Sequence, residues 1–389
     1  MGRWIGVGLL MLTVCGALAP LGMSAHTAPR PAATQPVRVP HVERALGPQP
    51  ASTPRPTSTP DPGARLNAIK AFMVRTTAHL VPLAVALKRA ADDYYALAAA
   101  ARFDYTRLWR ERHAQALAAL DRARAAWSSS VHTYAGMQSI VGGVPTTGLT
   151  DWIINTGTAA SAGGYLIAPY DLHLPDGRVL RDPGNLLDVL ELTLWGTSAL
   201  YVVPHVTIDA GKAGGFGQAV PDANLLKAAG DAFAHYVTLL LSQARAWQPM
   251  MIDVYHALII SVSGMGDVIS AWKRSRYVLG ARSKEADFAA RSALATLRDT
   301  ISGWQVLYGG LGSVVQQKDR ARDRLITKGL DGLYGLVASL AAREAAGHRF
   351  SPAAADLIGA EIQDRITALV GQVTQVGTEL RILINTCSY

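Results

Sequence analysis

Two carboxylates, Asp188 and Glu191, lie three residues apart in the apolar segment 186–196. Residues with this spacing share one face of an α-helix, so the pair could present its oxygens together to a cation or a polar ligand. The alternative is an ordinary amphipathic helix with a solvated acidic edge. The residues alone leave open both a ligand site and a plain surface helix.

The segment ends in Leu-Trp-Gly196 and resembles the His-x-x-Glu-x-x-Leu-Trp-Gly motif of the imelysin-like family. Asp188 stands where the family has His, and Glu191 occupies the Glu position. Members of this family are exported helical proteins with two bundles. Some belong to periplasmic iron-uptake systems, and others are grouped as metallopeptidases of uncertain activity. The resemblance therefore implies an exported helical protein with a site at this segment.

A second segment extends the resemblance. Trp127, Tyr134 and Gln138 are spaced like the Trp, Tyr and Glu of the helix that faces the family motif, with Gln138 in place of Glu. Carried over, the resemblance implies that Tyr134 and Gln138 line a pocket with Asp188 and Glu191. Oxygen ligands and a phenol suit iron or another hard divalent or trivalent cation better than Zn²⁺. The same substitutions are equally consistent with a lost metal site and a small-molecule ligand.

Signals for enzymatic activity are weak. The His-Glu-x-x-His pattern of zinc peptidases is absent, and His235 and His256 lie on separate predicted helices. Ser270 and Lys273 have the Ser-x-x-Lys spacing, but the other motifs of that chemistry are missing. We predict a non-enzymatic binding protein. The alternatives are a metallopeptidase-like enzyme and a structural or adhesive envelope protein with a degenerate site.

A basic cluster follows Trp272 and comprises Lys273, Arg274 and Arg276. Cations near the C-terminal end of a helix are favoured by the helix dipole, and this explanation is sufficient. The functional alternative is a site that binds an anionic ligand.

The first 63 residues predict export. Residues 1–25 combine an early Arg with a long apolar run, which is typical of a secretory signal peptide. Leu12-Thr-Val-Cys15 resembles a bacterial lipoprotein box, so Cys15 is either a lipidation site or part of a cleaved signal. Residues 26–63 are rich in Pro and Thr and predict a disordered tether. We expect a protein of the periplasm or the outer envelope, lipid-anchored or free, with a membrane permease as partner in an uptake role.

Composition predicts an all-α fold. Ala and Leu are abundant, Phe is rare, and apolar residues make up 49% of the 389 residues, which favours long packed helices over a sandwich or barrel. The net charge is +8, but part of the excess lies in the tether, so nucleic-acid binding gains no support. We predict two related antiparallel bundles of the four-helix type. The N-terminal bundle covers 64–221 with an irregular loop at 143–185, and the C-terminal bundle covers 222–389.

Caps and periodicity locate the helices. Asp104 and Asn185 are predicted N-caps, and the glycines of 263–266 and 309–312 predict helix kinks or close crossings. The long helices are predicted at 64–102, 104–141, 222–247, 249–278, 284–317, 319–346 and 351–384.

An internal sequence similarity favours duplication of one helical bundle. Residues 134–141 and 308–315 share Tyr, Gly, Ser and Val at equivalent places, and Arg124 and Arg298 precede them at equal distance. The alternative is chance similarity between two glycine-containing helices.

Overall fold

The structure is a computed structural model that describes residues 62–162, 166–207, 219–285, 288 and 290–380. The predicted signal peptide, Cys15 and nearly all of the predicted tether lie outside these residues. The described chain is dominated by α-helices, with only short antiparallel strand pairs, and this confirms the all-α prediction.

The first two helices are the longest, α1 (Pro62–Ala100) and α2 (Tyr105–Gly143). They pack along each other, joined by a tight turn. Asp104 is the N-cap of α2, as predicted, and its side chain accepts a hydrogen bond of 2.9 Å from the backbone N–H of Arg107. Fully buried Leu80 and Leu87 of α1 lie in the core, which holds the pair together by removing apolar surface from water.

The predicted loop between α2 and the carboxylate helix contains short elements. Helix α3 (Gly148–Asp151) leads directly into a π-helical turn at Trp152–Thr156. A hairpin follows, in which β1 (Asp171–His173) pairs antiparallel with β2 (Val179–Arg181). Helix α4 (Leu186–Leu194) comes next. Of these elements, α3 packs on α2, and the π-helical turn packs on α4.

The remaining chain contributes one more strand pair and most of the helices. Strand β3 (Val202–Thr207) pairs antiparallel with β4 (Ala219–Pro221). The helices that follow are α5 (Ala223–Ala246), α6 (Met251–Ser263), α7 (Met265–Arg274), α8 (Arg276–Leu279), α9 (Ala293–Lys318), α10 (Arg320–Ala345) and α11 (Pro352–Leu380). Helix α5 packs on α1 and α4, whereas α9 packs on α10, α2, α6 and α1.

Two predicted helices differ from the observed ones. The helix predicted at 249–278 is divided at Gly264 and again at Ser275, and the first break lies within the predicted kink. The helix predicted from 284 begins only at Ala293, because Ser292 is its N-cap and accepts from the backbone N–H of Leu294. The two-domain division stays a prediction.

Close helix crossings occur at glycines. A Cβ added at Gly310 would lie 2.4 Å from a side-chain carbon of Ile69, so α9 approaches α1 as the glycine pattern predicted. A Cβ at Gly143 would lie 2.1 Å from the Cα of Ala257, and this contact brings α2 against α6. A side chain is excluded at Gly143 by the backbone of Ala257, whereas at Gly310 the side chain of Ile69 would have to move.

Among the residues that the structure describes, three helical segments have the length and apolar composition needed to cross a membrane: Gly63–Ala100, Met251–Arg282 and Arg320–Ala345. In the described chain, α1, α6 and α10 also supply fully buried residues to the core, including Leu80, Val254 and Leu333. Their apolar composition is therefore at least partly accounted for by helix packing.

Candidate ligand site around helix α4

Helix α4 is defined by its two caps. Asn185 precedes it, and its Oδ1 accepts a hydrogen bond of 2.9 Å from the N–H of Asp188. Gly196 follows the helix with φ of +60°, a conformation that glycine adopts readily. A Cβ there would lie 2.8 Å from the carbonyl oxygen of Ala219. Both ends of the predicted carboxylate helix are thus confirmed.

Two side chains of α2 fasten α4 through its carbonyl groups. Trp127 Nε1 donates to the carbonyl of Leu187 at 2.9 Å, and Arg124 donates to that of Leu194 through Nε at 3.0 Å and Nη2 at 2.8 Å. Burial lowers the pKa of Arg124, which nevertheless remains a cation at the C-terminal end of α4. Trp195 packs on Trp127 with ring centroids 5.0 Å apart. The Trp of Leu-Trp-Gly therefore helps to fix α4 on α2.

The two carboxylates of α4 have different surroundings. Glu191 is only 4% exposed, and its Oε1 accepts a hydrogen bond of 2.7 Å from the backbone N–H of Ala290. Asp188 is half-buried, and its Oδ2 accepts from Asn185 Nδ2 at 2.6 Å. The pair is therefore not a solvated acidic edge, and at least one oxygen of each carboxylate is used within the protein.

Tyr134 is fully buried and donates to a carboxylate that the sequence analysis missed, Asp151. Thr156 donates to the other oxygen of Asp151. Burial raises the pKa of Asp151 to about 6, although both hydrogen bonds oppose the increase. Burial also raises the pKa of Tyr134 well above its ordinary value. A Cβ at Gly142 would lie 2.9 Å from Asp151 Oδ2, so the absence of a side chain there makes room for the carboxylate.

The contacts do not assemble the four predicted site residues into one ligand shell. Tyr134 makes its side-chain hydrogen bond to Asp151, and the side chain of half-buried Gln138 makes none with the described residues. Within the ranges that the structure describes, no group of three or more His, Cys, Asp or Glu side chains could hold a metal ion. Binding of a metal by Asp188 and Glu191 with Tyr134 and Gln138 therefore stays a prediction.

An ion cluster around the buried carboxylate of Asp299 lies beyond Glu191, and we call it the Asp299 cluster: His132, Arg291, Arg298 and Asp299. The carboxylate of Asp299 is 9% exposed and pairs with Arg291, with Arg298 Nη2 at 2.7 Å and with His132 Nδ1 at 2.8 Å. Burial lowers the pKa of Arg291, while the charges of Asp299 and Glu191 oppose that decrease. Glu191 is thus electrostatically coupled to the cluster.

Arg291 is the least satisfied member of this cluster. Its side chain is 12% exposed, and its Nη1 is buried with no hydrogen-bond acceptor among the residues that the structure describes. A buried N–H without an acceptor is costly, and an ionised oxygen is the acceptor that a guanidinium binds most strongly. An additional anionic group would therefore satisfy this N–H.

The basic cluster after Trp272, which could have been an anion site, makes contacts with other side chains of the protein. Each of its three cations contacts another side chain, a pattern that favours the helix-end explanation. Lys273 lies 2.7 Å from Asp356, Arg274 lies 2.9 Å from Glu285, and the guanidinium of Arg276 lies 5.2 Å from the ring of Tyr277.

Sequence comparison assigns the family. No curated protein matches the chain. The family model for peptidase M75, described as imelysin, matches residues 74–377, a span that includes α4, Tyr134, Asp151 and the Asp299 cluster. Since this span is more than half of the chain, the protein belongs to the imelysin family.

Proposed function

We propose that this imelysin-family chain is an exported, non-enzymatic binding protein of the cell envelope, and that the Asp299 cluster with Glu191 takes a small carboxylate-bearing ligand. The observation that carries the proposal is the buried Nη1 of Arg291, which has no acceptor. A ligand carboxylate would supply that acceptor in a charge-assisted hydrogen bond.

The donor groups around Asp299 support a ligand that accepts hydrogen bonds. Arg298 and the 63% exposed His132 contact the same carboxylate as Arg291, so two guanidinium groups and an imidazole surround Asp299. Glu191 accepts from the N–H of Ala290, the residue directly before Arg291. In this proposal the motif glutamate is a positioning residue, because it holds the backbone that carries the guanidinium.

A directly bound metal ion is the second candidate, favoured by the iron-uptake role that the family resemblance implies. The contacts of α4 support it less well. Glu191 Oε1 and Asp188 Oδ2 already accept hydrogen bonds from the protein. The negative charge of Glu191 also interacts with the positive charge of Arg291. A metal carried by a carboxylate ligand would satisfy both the cluster and an uptake role.

The envelope location rests on the composition of the first 63 residues. An apolar leader followed by a Pro- and Thr-rich segment is typical of an exported protein held away from its attachment point. Mass spectrometry of the mature N-terminus tests this part. Cleavage after Ala25 would indicate free secretion, an acylated Cys15 would indicate a lipid anchor, and an uncleaved N-terminus would contradict export.

The ligand site is tested with mature protein purified without chelators. Titration calorimetry with citrate and with ferric citrate would be combined with elemental analysis by mass spectrometry. Three variants would be compared: Arg291→Gln, the double variant Asp188→Ala with Glu191→Ala, and Arg282→Gln as a matched control. Arg282 is an exposed arginine on the same connection. We expect binding to wild type and to Arg282→Gln, with a loss of at least tenfold in Arg291→Gln.

The outcomes separate the candidates. Stoichiometric metal in the absence of citrate, lost in the double variant, would replace the carboxylate-ligand proposal by a metal site. Equal behaviour of all variants, with neither metal nor citrate bound, would reject both candidates and favour a structural protein.

A further inference from the structure

A cavity lies away from α4, between the beginning of α1 and the facing sides of α9 and α10. Its volume is about 310 Å³, which is within the range of small-molecule sites in proteins. Its lining includes six polar side chains: Arg65, Gln305, Tyr308, Ser313, Asp323 and Asp331. The cavity shares no residue with the Asp299 cluster.

One wall of the cavity holds a tyrosine–aspartate pair. Tyr308 is 5% exposed and donates to Asp323 Oδ1 at 3.1 Å. In the internal sequence similarity between 134–141 and 308–315, Tyr308 corresponds to Tyr134, whose hydroxyl donates to the buried Asp151. The two pairs differ in their surroundings. Asp151 is 3% exposed and has Thr156 as a second donor, whereas Asp323 is half-buried and lines the cavity.

Ser313 is the most informative residue of this cavity. Hydroxyl groups within helices commonly bond to the carbonyl four residues earlier, as Ser130 and Thr193 do here at 2.8 and 2.6 Å. Ser313 is only 6% exposed, lines the cavity, and its Oγ has no hydrogen-bond partner in the described part of the chain. A buried hydroxyl without a partner is costly, and a bound polar molecule would satisfy it.

Charged groups of both signs line the cavity. Arg65 donates through Nη1 to the carbonyl of Gly309 at 3.1 Å, and its Nε is buried without a partner within the described ranges. Asp323 and Asp331 supply carboxylates, and Gln305 Nε2 holds Asp331 Oδ1 at 2.8 Å. A purely anionic ligand would meet two carboxylates, and a purely cationic one would leave the guanidinium N–H unsatisfied.

We propose that this cavity binds a small zwitterion of free amino-acid size. Its carboxylate would accept from Arg65, its ammonium group would donate to Asp323, and Ser313 would hydrogen-bond a polar atom of the ligand. Charge-assisted hydrogen bonds at both ends would select for a molecule that carries both groups. This ligand is additional to the carboxylate ligand of the Asp299 cluster.

The experiment is titration calorimetry of the mature full-length protein with each of the twenty L-amino acids. Asp323→Asn and Ser313→Ala test the cavity, and Asp364→Asn is the matched control, because Asp364 is an exposed helical aspartate on α11. We expect at least one amino acid to bind wild type and Asp364→Asn equally. Affinity should fall at least tenfold in Asp323→Asn and by a smaller factor in Ser313→Ala, and circular dichroism would verify that the variants are folded.

Arg65→Gln and putrescine distinguish a zwitterion from a simple organic cation. Amino-acid binding should weaken at least tenfold in Arg65→Gln, and putrescine should bind more weakly than the preferred amino acid. The proposal is overturned if no amino acid binds at 10 mM. It is also overturned if all the cavity variants bind the amino acid with the affinity of the wild-type protein. It is also overturned if putrescine binds as well as any amino acid and is insensitive to Arg65→Gln.

Discussion

The buried acid Asp151 predicts an unusual pH dependence of stability. Its carboxyl group is inaccessible to water, and its two hydrogen-bond donors, Tyr134 and Thr156, are neutral. Since the described surroundings supply no cation to pair with it, ionisation is disfavoured by burial. The replacement Asp151→Asn removes the charge and keeps a similar shape, and the Thr156 hydroxyl can change from donor to acceptor.

The magnitude follows from linkage between protonation and folding. The pKa of Asp151 rises from 3.8 to about 6 in the folded protein. The folded state therefore holds the proton more tightly than the unfolded state, and its stability falls as pH rises from about 4 to 6. Below this window both states are protonated, and above it the loss is complete. At about 1.4 kcal/mol per pH unit, the total loss is about 3 kcal/mol.

The assay is urea unfolding of wild type and Asp151→Asn at several pH values between 4 and 8. Other groups titrate in this range, so the informative quantity is the difference in unfolding free energy between the two proteins. We expect Asp151→Asn to gain about 3 kcal/mol relative to wild type between pH 4 and pH 7. Tyr134→Phe provides a second perturbation. It removes a donor to the carboxylate, so it should raise the pKa of Asp151 further and move the transition to higher pH.

A free-energy difference that stays constant to within about 0.5 kcal/mol from pH 4 to pH 8 would refute this reasoning. It would mean that the carboxyl group titrates alike in both states. A difference that changes in the opposite direction, with Asp151→Asn losing stability as pH rises, would mean that an unrecognised cation stabilises the ionised form.

Three further predictions concern the scaffold, and each is measured by urea unfolding at neutral pH. Gly143→Ala should cost about 3 kcal/mol, because its Cβ would overlap the backbone of α6, whereas Gly136→Ala has open space and should stabilise by up to about 1 kcal/mol. Arg124→Ala should cost about 2 kcal/mol by leaving the last carbonyl of α4 without its donor, while the exposed Arg122→Ala should cost less than about 1 kcal/mol. Asn185→Ala should cost about 1 kcal/mol through loss of the α4 cap. Equal effects within either matched pair, or an unchanged stability of Asn185→Ala, would contradict the packing described above.

Much of the helical fold was predictable from the sequence, because helix ends have local chemistry. Asp104 and Asn185 are capping side chains that bond within three residues, so their role can be read without tertiary information. The start of α9 was predicted too early. Residues 284–292 are compatible with a helix in composition, but the observed cap is Ser292, and Ala290 gives its N–H to Glu191 instead of to a preceding turn.

The candidate site was less predictable, since its partners are distant in sequence. The motif drew attention to Glu191 and Tyr134, but not to what they contact. Asp151 follows a Gly- and Thr-rich connection with no periodicity, and nothing local indicates that it will be enclosed. The adjacent Arg298 and Asp299 look like a solvated pair of helix charges. Only the packing of α9 against α2 shows that Asp299 is buried.

Because Trp127 and Arg124 fasten α4 to α2, local unfolding of the two helices should be coupled. A helix of nine residues is too short to persist by itself in water, and this one is held at both ends by side chains of a 39-residue neighbour. Its amide protons should therefore exchange with solvent only when its contacts with α2 open. The segment that carries Asp188 and Glu191 would then share the exchange lifetime of the central part of α2, although no long helix lies directly before or after it in the described chain between α2 and α5.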